Sequence, residues 1–301
     1  MKYLLFVLLS IILLFACQSE HKEKLYISRD FVPDSTFTSG VEGPAADKEG
    51  IVYAVNISKQ GTIGLILPCG NILKTIDLPK GSIGNGIRFD KACRNMFIAD
   101  YTKHNILRID LSDNKLSVFA HDSSMNQPND IAITDDGTLF ASDPNWADST
   151  GKLWKITTSG ETILLEDDMG TTNGIEVAPD NRRLYVNESI QRKIWVYDLD
   201  KDLNISNKRL FFQFHDFGLD GMRCDTLGNL YVTRYGKGTV VILSPQGKQL
   251  REITLKGKNV SNIAFGGKDG KTCYVTLADR GNIETFRVEV PGRAWKMFFK
   301  N

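Results

Sequence analysis

Asn173-Gly174-Ile175-Glu176-Val177-Ala178 is the stretch that decides the fold, because variants of it open six successive segments of the chain. Each variant begins with an oxygen-bearing side chain and continues into a short, mostly apolar strand. The opening residues lie roughly 44 positions apart and are Glu42, Asn85, Asn129, Asn173, Asp220 and Ser261. A repeat of this length with several strands per unit is typical of the blades of a β-propeller.

The second strand of every unit supports the same repeat. One aromatic residue stands in a single column: Tyr53, Phe97, Phe140, Tyr185, Tyr231 and Tyr274. We interpret these residues as core side chains that pack one blade against the next. A third strand rich in β-branched and apolar residues follows in each unit, and no segment keeps a helical period. The sequence therefore predicts an all-β, six-bladed β-propeller.

The ends of the chain suggest how the ring closes. A run of alternating character, residues 24–31, precedes the first unit, while the sixth unit has little chain left after its third strand. We expect this N-terminal strand to complete the last blade and so remove a free sheet edge. The propeller then occupies residues 25–301, and the polar residues 17–24 form a tether in front of it.

Residues 1–16 are typical of a secretory signal peptide. Lys2 precedes an apolar run, residues 3–16, that is too short to span a bilayer. The run ends in Leu14-Phe15-Ala16-Cys17, which resembles the cleavage box of a bacterial lipoprotein. We expect lipidation at Cys17 and a location in the bacterial cell envelope, on the periplasmic side or the outer surface. The alternative is an ordinary signal peptide cut nearby, with Cys17 incidental.

The composition excludes one class of partner. Lys and Arg total 37 against 36 Asp and Glu, a formal net charge of +1, so no broad basic face is expected and nucleic acid is excluded as a partner. We expect a monomer whose only membrane contact is the lipid anchor. Cys224 and Cys273 lie in apolar strand patterns and are predicted to be buried thiols, whereas a pairing of Cys69 with Cys93 stays open.

The six opening residues point to a metal site. The first residues of the innermost strands gather around one mouth of a propeller's central channel, and buried polar groups need partners there. Here these residues carry carboxylate, amide or hydroxyl oxygens, with Glu42 and Asp220 supplying the acids. Oxygen ligands suit one hard divalent cation, with Ca²⁺ favoured and Mg²⁺, Mn²⁺ or Zn²⁺ as alternatives. The competing interpretation takes Asn85-Gly86 and Asn173-Gly174 as ordinary turns.

At these residues the chain resembles the senescence marker protein/gluconolactonase family, also called regucalcin-like. The matching pieces are Glu42-Gly43-Pro44, Pro128-Asn129-Asp130, Asn173-Gly174 and Asp220-Gly221-Met222. The resemblance implies a six-bladed propeller with one divalent cation on its axis. It implies metal ligands at Glu42, Asn173 and Asp220, with Asn129 contacting the metal or the substrate. It also implies hydrolysis of a lactone or a related ester.

The family's chemistry assigns roles to several residues. Asp220 is the expected catalytic residue, combining the roles of ligand and general base. Asn129, Gln127 and Asn85 are predicted to contact the substrate. The residues themselves add Asp143 and Glu188, three positions after the aromatic column, and Trp146, because the second strand ends near the start of the first. The alternative is that these polar strand ends are only solvated. Sugar-lactone hydrolases of this family carry an arginine where this chain has Gln127, which brings no charge and puts gluconolactone as the substrate in doubt.

A second hypothesis belongs to a different functional class. Met96-Phe97-Ile98-Ala99-Asp100-Tyr101 also resembles NHL-type repeats, which serve as interaction surfaces. The chain would then be a non-catalytic propeller that binds a sugar or a protein partner at the cell envelope, and an axial metal would be structural. Repeat pattern alone does not separate the two, because fold does not determine function.

Overall fold

Six four-stranded antiparallel sheets make up the computed structural model, which describes residues 24–299. The signal peptide, the lipidation of Cys17 and nearly all of the tether lie outside these residues and stay predictions. The all-β, six-bladed propeller expected from the repeats is confirmed.

The first three blades follow one another along the chain. Blade 1 contains β2 (Phe37–Ala46), β3 (Val52–Ile57), β4 (Thr62–Ile66) and β5 (Ile72–Asp77). Blade 2 contains β6 (Gly84–Phe89), β7 (Asn95–Asp100), β8 (Asn105–Asp110) and β9 (Lys115–His121). Blade 3 contains β10 (Ile131–Ile133), β11 (Leu139–Asn145), β12 (Thr150–Ile156) and β13 (Thr162–Gly170).

The remaining blades complete the ring. Blade 4 contains β14 (Thr172–Val177), β15 (Arg183–Glu188), β16 (Lys193–Leu199) and β17 (Ile205–Gln213). Blade 5 contains β18 (Met222–Cys224), β19 (Leu230–Arg234), β20 (Thr239–Leu243) and β21 (Gln249–Thr254). Blade 6 contains β22 (Val260–Gly266), β23 (Thr272–Leu277) and β24 (Asn282–Arg287), and a short helix, α1 (Arg293–Met297), follows.

The N-terminal strand closes the ring, as expected. β1 (Arg29–Asp30) pairs antiparallel with β24 and becomes the fourth, outermost strand of blade 6. Phe31 packs edge-on against Tyr274 of the same blade, with ring centroids 4.8 Å apart. An N-terminal strand and three C-terminal strands therefore form one sheet. Blade 6 has four strands like the others, and β24 is not left as an unpaired edge.

The outermost strand of each blade is the element that the repeats did not reveal. β5 illustrates the reason, since nearly all of its side chains are exposed and it lacks the alternation of a half-buried strand. The innermost strands are the opposite case, because β6 and β14 are buried along their whole length.

The aromatic column forms core between the blades, as predicted. All six of its side chains are buried. Tyr53 packs edge-on against Phe89 of the next blade at 5.0 Å, and Tyr231 packs in the same way against Phe265 at 4.9 Å. Cys224 and Cys273 are buried thiols, as expected, and Cys69 and Cys93 are free rather than paired.

The C-terminal segment covers one end of the axis. Met297 of α1 is fully buried among residues of blades 2 and 3, and Phe298 packs against Phe89 with ring centroids 6.4 Å apart. No helix between residues 24 and 299 is long and apolar enough to cross a lipid bilayer.

Candidate functional site

A cavity of about 440 Å³ opens at the end of the propeller axis opposite to α1. We call it the axial cavity. Its floor is the polar ring, the six residues that open the repeats: Glu42, Asn85, Asn129, Asn173, Asp220 and Ser261. One residue comes from each blade, so positions far apart in sequence meet at one point. This volume lies in the range of small-molecule sites.

Close approach of the inner strands explains why glycine follows several ring residues. A Cβ atom on Gly221 would lie 1.9 Å from Oδ1 of Asn262, and one on Gly43 would lie 1.9 Å from the backbone oxygen of Asn85. Gly43 also has a φ of 55°, a conformation that disfavours other residues. The glycines therefore let the blades meet at the axis, and Asn85 and Asn173 lie in strands rather than in turns.

Glu42 and Asp220 are two buried acids for which residues 24–299 supply no salt bridge. Burial raises the pKa of Glu42 to about 7, although hydrogen bonds from Gly43 N (2.7 Å) and Asn262 Nδ2 (2.9 Å) act against the shift. Burial also raises the pKa of Asp220 well above its ordinary value, and the neighbouring charge of Glu42 raises it further. Two buried carboxyl groups that face each other favour a shared positive charge between them.

The amides of the ring supply further oxygen atoms. Oδ1 of Asn85 and Oδ1 of Asn173 are buried and have no hydrogen-bond partner. A buried oxygen atom without a hydrogen-bond partner destabilises the fold, and a bound ion is one partner that would remove this cost. The Asn129 side chain also makes no hydrogen bond within residues 24–299, and it lies on the cavity wall.

This donor set fits a hard cation. Two carboxylates and at least two free amide oxygens match the ligands that Ca²⁺ and Mg²⁺ prefer. Among residues 24–299 no three His, Cys, Asp or Glu side chains cluster together, so a cation at this position would depend on the amides as well as the acids. The same set offers no nitrogen or sulfur ligand of the kind that zinc prefers.

The predicted substrate contacts divide into two groups. Asn85, Asn129 and Trp146 line the axial cavity, whereas Gln127, Asp143 and Glu188 are absent from its wall. Contact of any of the six with a substrate stays a prediction.

The carboxylates of Asp143 and Glu188 accept hydrogen bonds from nearby protein N–H groups. Asp143 accepts hydrogen bonds from Gln127 N at 2.6 Å and Trp154 Nε1 at 2.9 Å. Glu188 accepts one from Gly170 N at 2.9 Å. These carboxylates fix the loops beside the ring and do not face the ligand space.

Several wall residues escaped the sequence analysis. Tyr101, Ser189, Tyr235 and Ala278 line the axial cavity, and each stands four positions after the aromatic column. Glu188 stands one position before Ser189, and successive strand residues point to opposite sides. Asn56, three positions after Tyr53, does line the cavity, so the offset differs between blades.

A second charged layer lies beneath the ring. We call it the lower charge cluster: Arg88, Asp130, Glu176, Arg223 and Arg293, all buried. Asp130 lies 3.3 Å from Arg88 and 3.0 Å from Arg223, and Glu176 lies 3.6 Å from Arg293 of α1. This layer fills the axis below the candidate site and leaves only a small cavity of about 30 Å³.

The fold and the site together define a class: six-bladed propellers with an oxygen-lined pocket at one end of the axis. Within that class the chain belongs to the SMP-30/Gluconolactonase/LRE-like family, whose model matches residues 40–279.

Individual relatives agree with this assignment over most of the chain. A Bacillus subtilis protein, YvrE, described as a candidate sugar lactone lactonase, is 27% identical over 83% of this chain and 87% of its own. Diisopropyl-fluorophosphatase of Loligo vulgaris is 26% identical over 84% and 90%. The crystal structure of an Agrobacterium tumefaciens calcium-binding protein, regucalcin, superposes with a TM-score of 0.77 at 22% identity, covering 88% and 95%.

Proposed function

We propose that this protein is a cation-dependent hydrolase that opens a lactone or a related carboxylic ester in the axial cavity. The observation that carries the proposal is the pairing of Glu42 and Asp220 on the axis, two buried acids with unpaired amide oxygens around them. Family membership and the lactonase names among the relatives point to the same reaction class.

Glu42, Asp220, Asn173 and Asn85 would hold the cation, with Asn129 beside it. When bound, a divalent cation supplies Lewis-acid chemistry, drawing electron density from a carbonyl oxygen as negative charge develops there. Ca²⁺ is the favoured ion because the donors are all oxygen atoms and the amides add no charge.

Asp220 is the proposed general base. Its carboxyl group lies on the cavity wall, where it can reach a water molecule beside a bound ester. A carboxylate oxygen of Asp220 takes the proton from the attacking water. Glu42, held by Gly43 N and Asn262 Nδ2, is fixed in orientation and contributes charge. The free amide of Asn129 orients the substrate.

Replacement of Asp220 tests the proposal. We expect Asp220→Asn to lower kcat/KM for lactones by about 10²–10³-fold and to weaken cation binding measured by calorimetry. Asp167→Asn is the matched control, since Asp167 is an exposed carboxylate on the outermost strand β13. It should leave both quantities unchanged.

Two results would contradict the proposal. One is full hydrolysis by the Asp220→Asn protein, and the other is full hydrolysis by the native protein in excess chelator. A protein that binds the cation but hydrolyses no lactone or ester would instead favour the non-catalytic propeller.

A further inference from the structure

The wall of the axial cavity carries little charge. Of its residues between 24 and 299, only Glu42 and Asp220 bear a formal charge, and both belong to the polar ring. No arginine or lysine in this part of the chain reaches the wall, so a phosphate, sulfonate or carboxylate on a ligand would find no cationic side chain. A ligand that fills this cavity above the ring is therefore best matched if it is neutral.

Three polar side chains of the wall are already engaged by the protein. The Asn56 amide donates to Gly40 O at 2.6 Å and accepts from Gly61 N at 3.0 Å. Ser189 donates to Leu219 O at 2.5 Å, and Ser261 donates to Val41 O at 2.8 Å. These groups are committed to the protein itself. A ligand hydroxyl group placed against these three side chains would lose water without gaining a partner, which lowers affinity.

Apolar and aromatic side chains occupy much of the remaining wall. Ile83 and Tyr101 of blade 2 and Trp146 of blade 3 line the same cavity wall. Tyr235 and Ala278 stand on blades 5 and 6. Such surfaces gain free energy by covering alkyl or aryl groups.

We propose that the axial cavity accepts a neutral lactone or ester bearing an apolar alkyl or aryl substituent, and that it discriminates against polyhydroxylated and anionic lactones. This inference rests on the proposed hydrolase function and deepens it. The polar ring receives the ester group, while Tyr101 and Trp146 cover the substituent. The proposal separates this chain from a sugar-lactone hydrolase despite the shared fold.

A panel of four δ-lactones tests the proposal on the calcium-loaded protein. The panel comprises a pentyl-substituted lactone, the unsubstituted ring, glucono-δ-lactone and its 6-phosphate. We expect kcat/KM for the pentyl lactone to exceed that for the unsubstituted ring by at least about tenfold. Glucono-δ-lactone should fall at least about tenfold below the pentyl lactone, with the phosphate lowest.

Variants of the aromatic wall residues test which side chains determine the preference between substrates. Trp146→Ala and Tyr101→Ala should raise KM for the pentyl lactone by about tenfold, with smaller changes in kcat. They should also weaken the binding, by calorimetry, of 2-pentyltetrahydropyran, which has no carbonyl to hydrolyse. Trp146→Phe should keep most of the preference. Leu227→Ala is the control, since Leu227 is 67% exposed and lies outside the cavity wall.

The outcomes separate the two proposals. Turnover of glucono-δ-lactone as fast as the pentyl lactone, or faster, would overturn the substrate class and leave the hydrolase function standing. An unchanged preference in both alanine variants, with melting temperatures showing that they fold, would overturn it as well. No turnover of any lactone or ester by the cation-loaded native protein would overturn the hydrolase function and the substrate class together.

Discussion

The polar ring and the lower charge cluster lie on the same axis, one above the other, yet the side chains around their buried acids differ. In the lower charge cluster, Arg88 and Arg223 both contact Asp130, and Arg293 lies close to Glu176. In the polar ring, Glu42 and Asp220 face each other with only amide and hydroxyl side chains around them. The chain thus pairs the acids of the lower layer with its own arginines, and we propose that a bound cation balances the acids of the polar ring.

This difference explains why the two layers are expected to respond differently to substitution. Burial raises the pKa of Glu176, but the three arginines act against the shift. For Asp220, burial and the neighbouring charges of Glu42 and Asp130 all raise the pKa. A balanced layer loses stability when a partner is removed, whereas an unbalanced layer gains stability when an acid is neutralised.

The largest effect is expected from breaking the balanced layer. Arg223→Met should lower the free energy of unfolding by about 3–5 kcal/mol, because Asp130 and Glu176 keep their charges in a buried setting. Chemical denaturation measures the change. Arg209→Met is the control, since its ion pair with Asp198 is largely exposed and should contribute about 1 kcal/mol or less. A loss in Arg223→Met no larger than in this control would remove the distinction between the two layers.

An effect of intermediate size is expected from pH in the cation-free protein. The pKa of Glu42 is raised from 4.5 to about 7, so its carboxyl group stabilises the fold below pH 4.5 and loses that contribution as the pH rises through about 7. In chelator, unfolding free energy should therefore fall across this window, by roughly 2 kcal/mol. Added Ca²⁺ should reverse the loss.

Glu42→Gln sharpens the pH experiment. The amide keeps the shape of the side chain and cannot titrate, so the fall between pH 4.5 and about 7 should shrink in this variant. A native protein whose stability rises across the window in chelator would show that the ring is balanced by the chain itself.

The smallest effect is expected at the edge of the lower charge cluster. Arg293→Met should lower the unfolding free energy by about 1 kcal/mol, because Glu176 keeps Arg88 and Arg223 nearby and Asp135 is partly exposed to water. Thermal unfolding of the variant beside Arg223→Met measures the difference. A loss in Arg293→Met that equals the loss in Arg223→Met would mean that the C-terminal segment, not the inner strands, holds this layer together.

The sequence predicted the features that repeat. The aromatic column and the six ring residues recur in every unit, so the blade number, the convergence of Glu42 with Asp220 and the role of β1 followed from the pattern. Strands without a recurring signal were missed; β5, for example, is exposed on nearly all of its residues. Asp143 and Glu188 were predicted at the channel mouth as polar strand ends, and Gln127 from its place before Asn129 in the family pattern; the cavity wall has Tyr101, Ser189 and Tyr235 instead.

The lower charge cluster had a signal that the analysis did not use. Arg88, Glu176 and Arg223 each stand three positions after a ring residue, inside strands that are otherwise apolar. A charged side chain in a buried strand needs a partner of opposite charge, and these positions share one level of the channel. Arg293 could not be placed in this way, because it lies on α1, outside the repeats.

The segment after blade 6 affects where a ligand can enter and leave the axial cavity. α1 and Phe298 close the axis at one end, and the lower charge cluster fills it, so in the part of the chain that the structure describes the cavity opens at the other end of the axis. In the proposed reaction the hydroxy acid must leave by the route that the next lactone enters. Product and substrate therefore use the same opening, and accumulated product competes with substrate for the cavity.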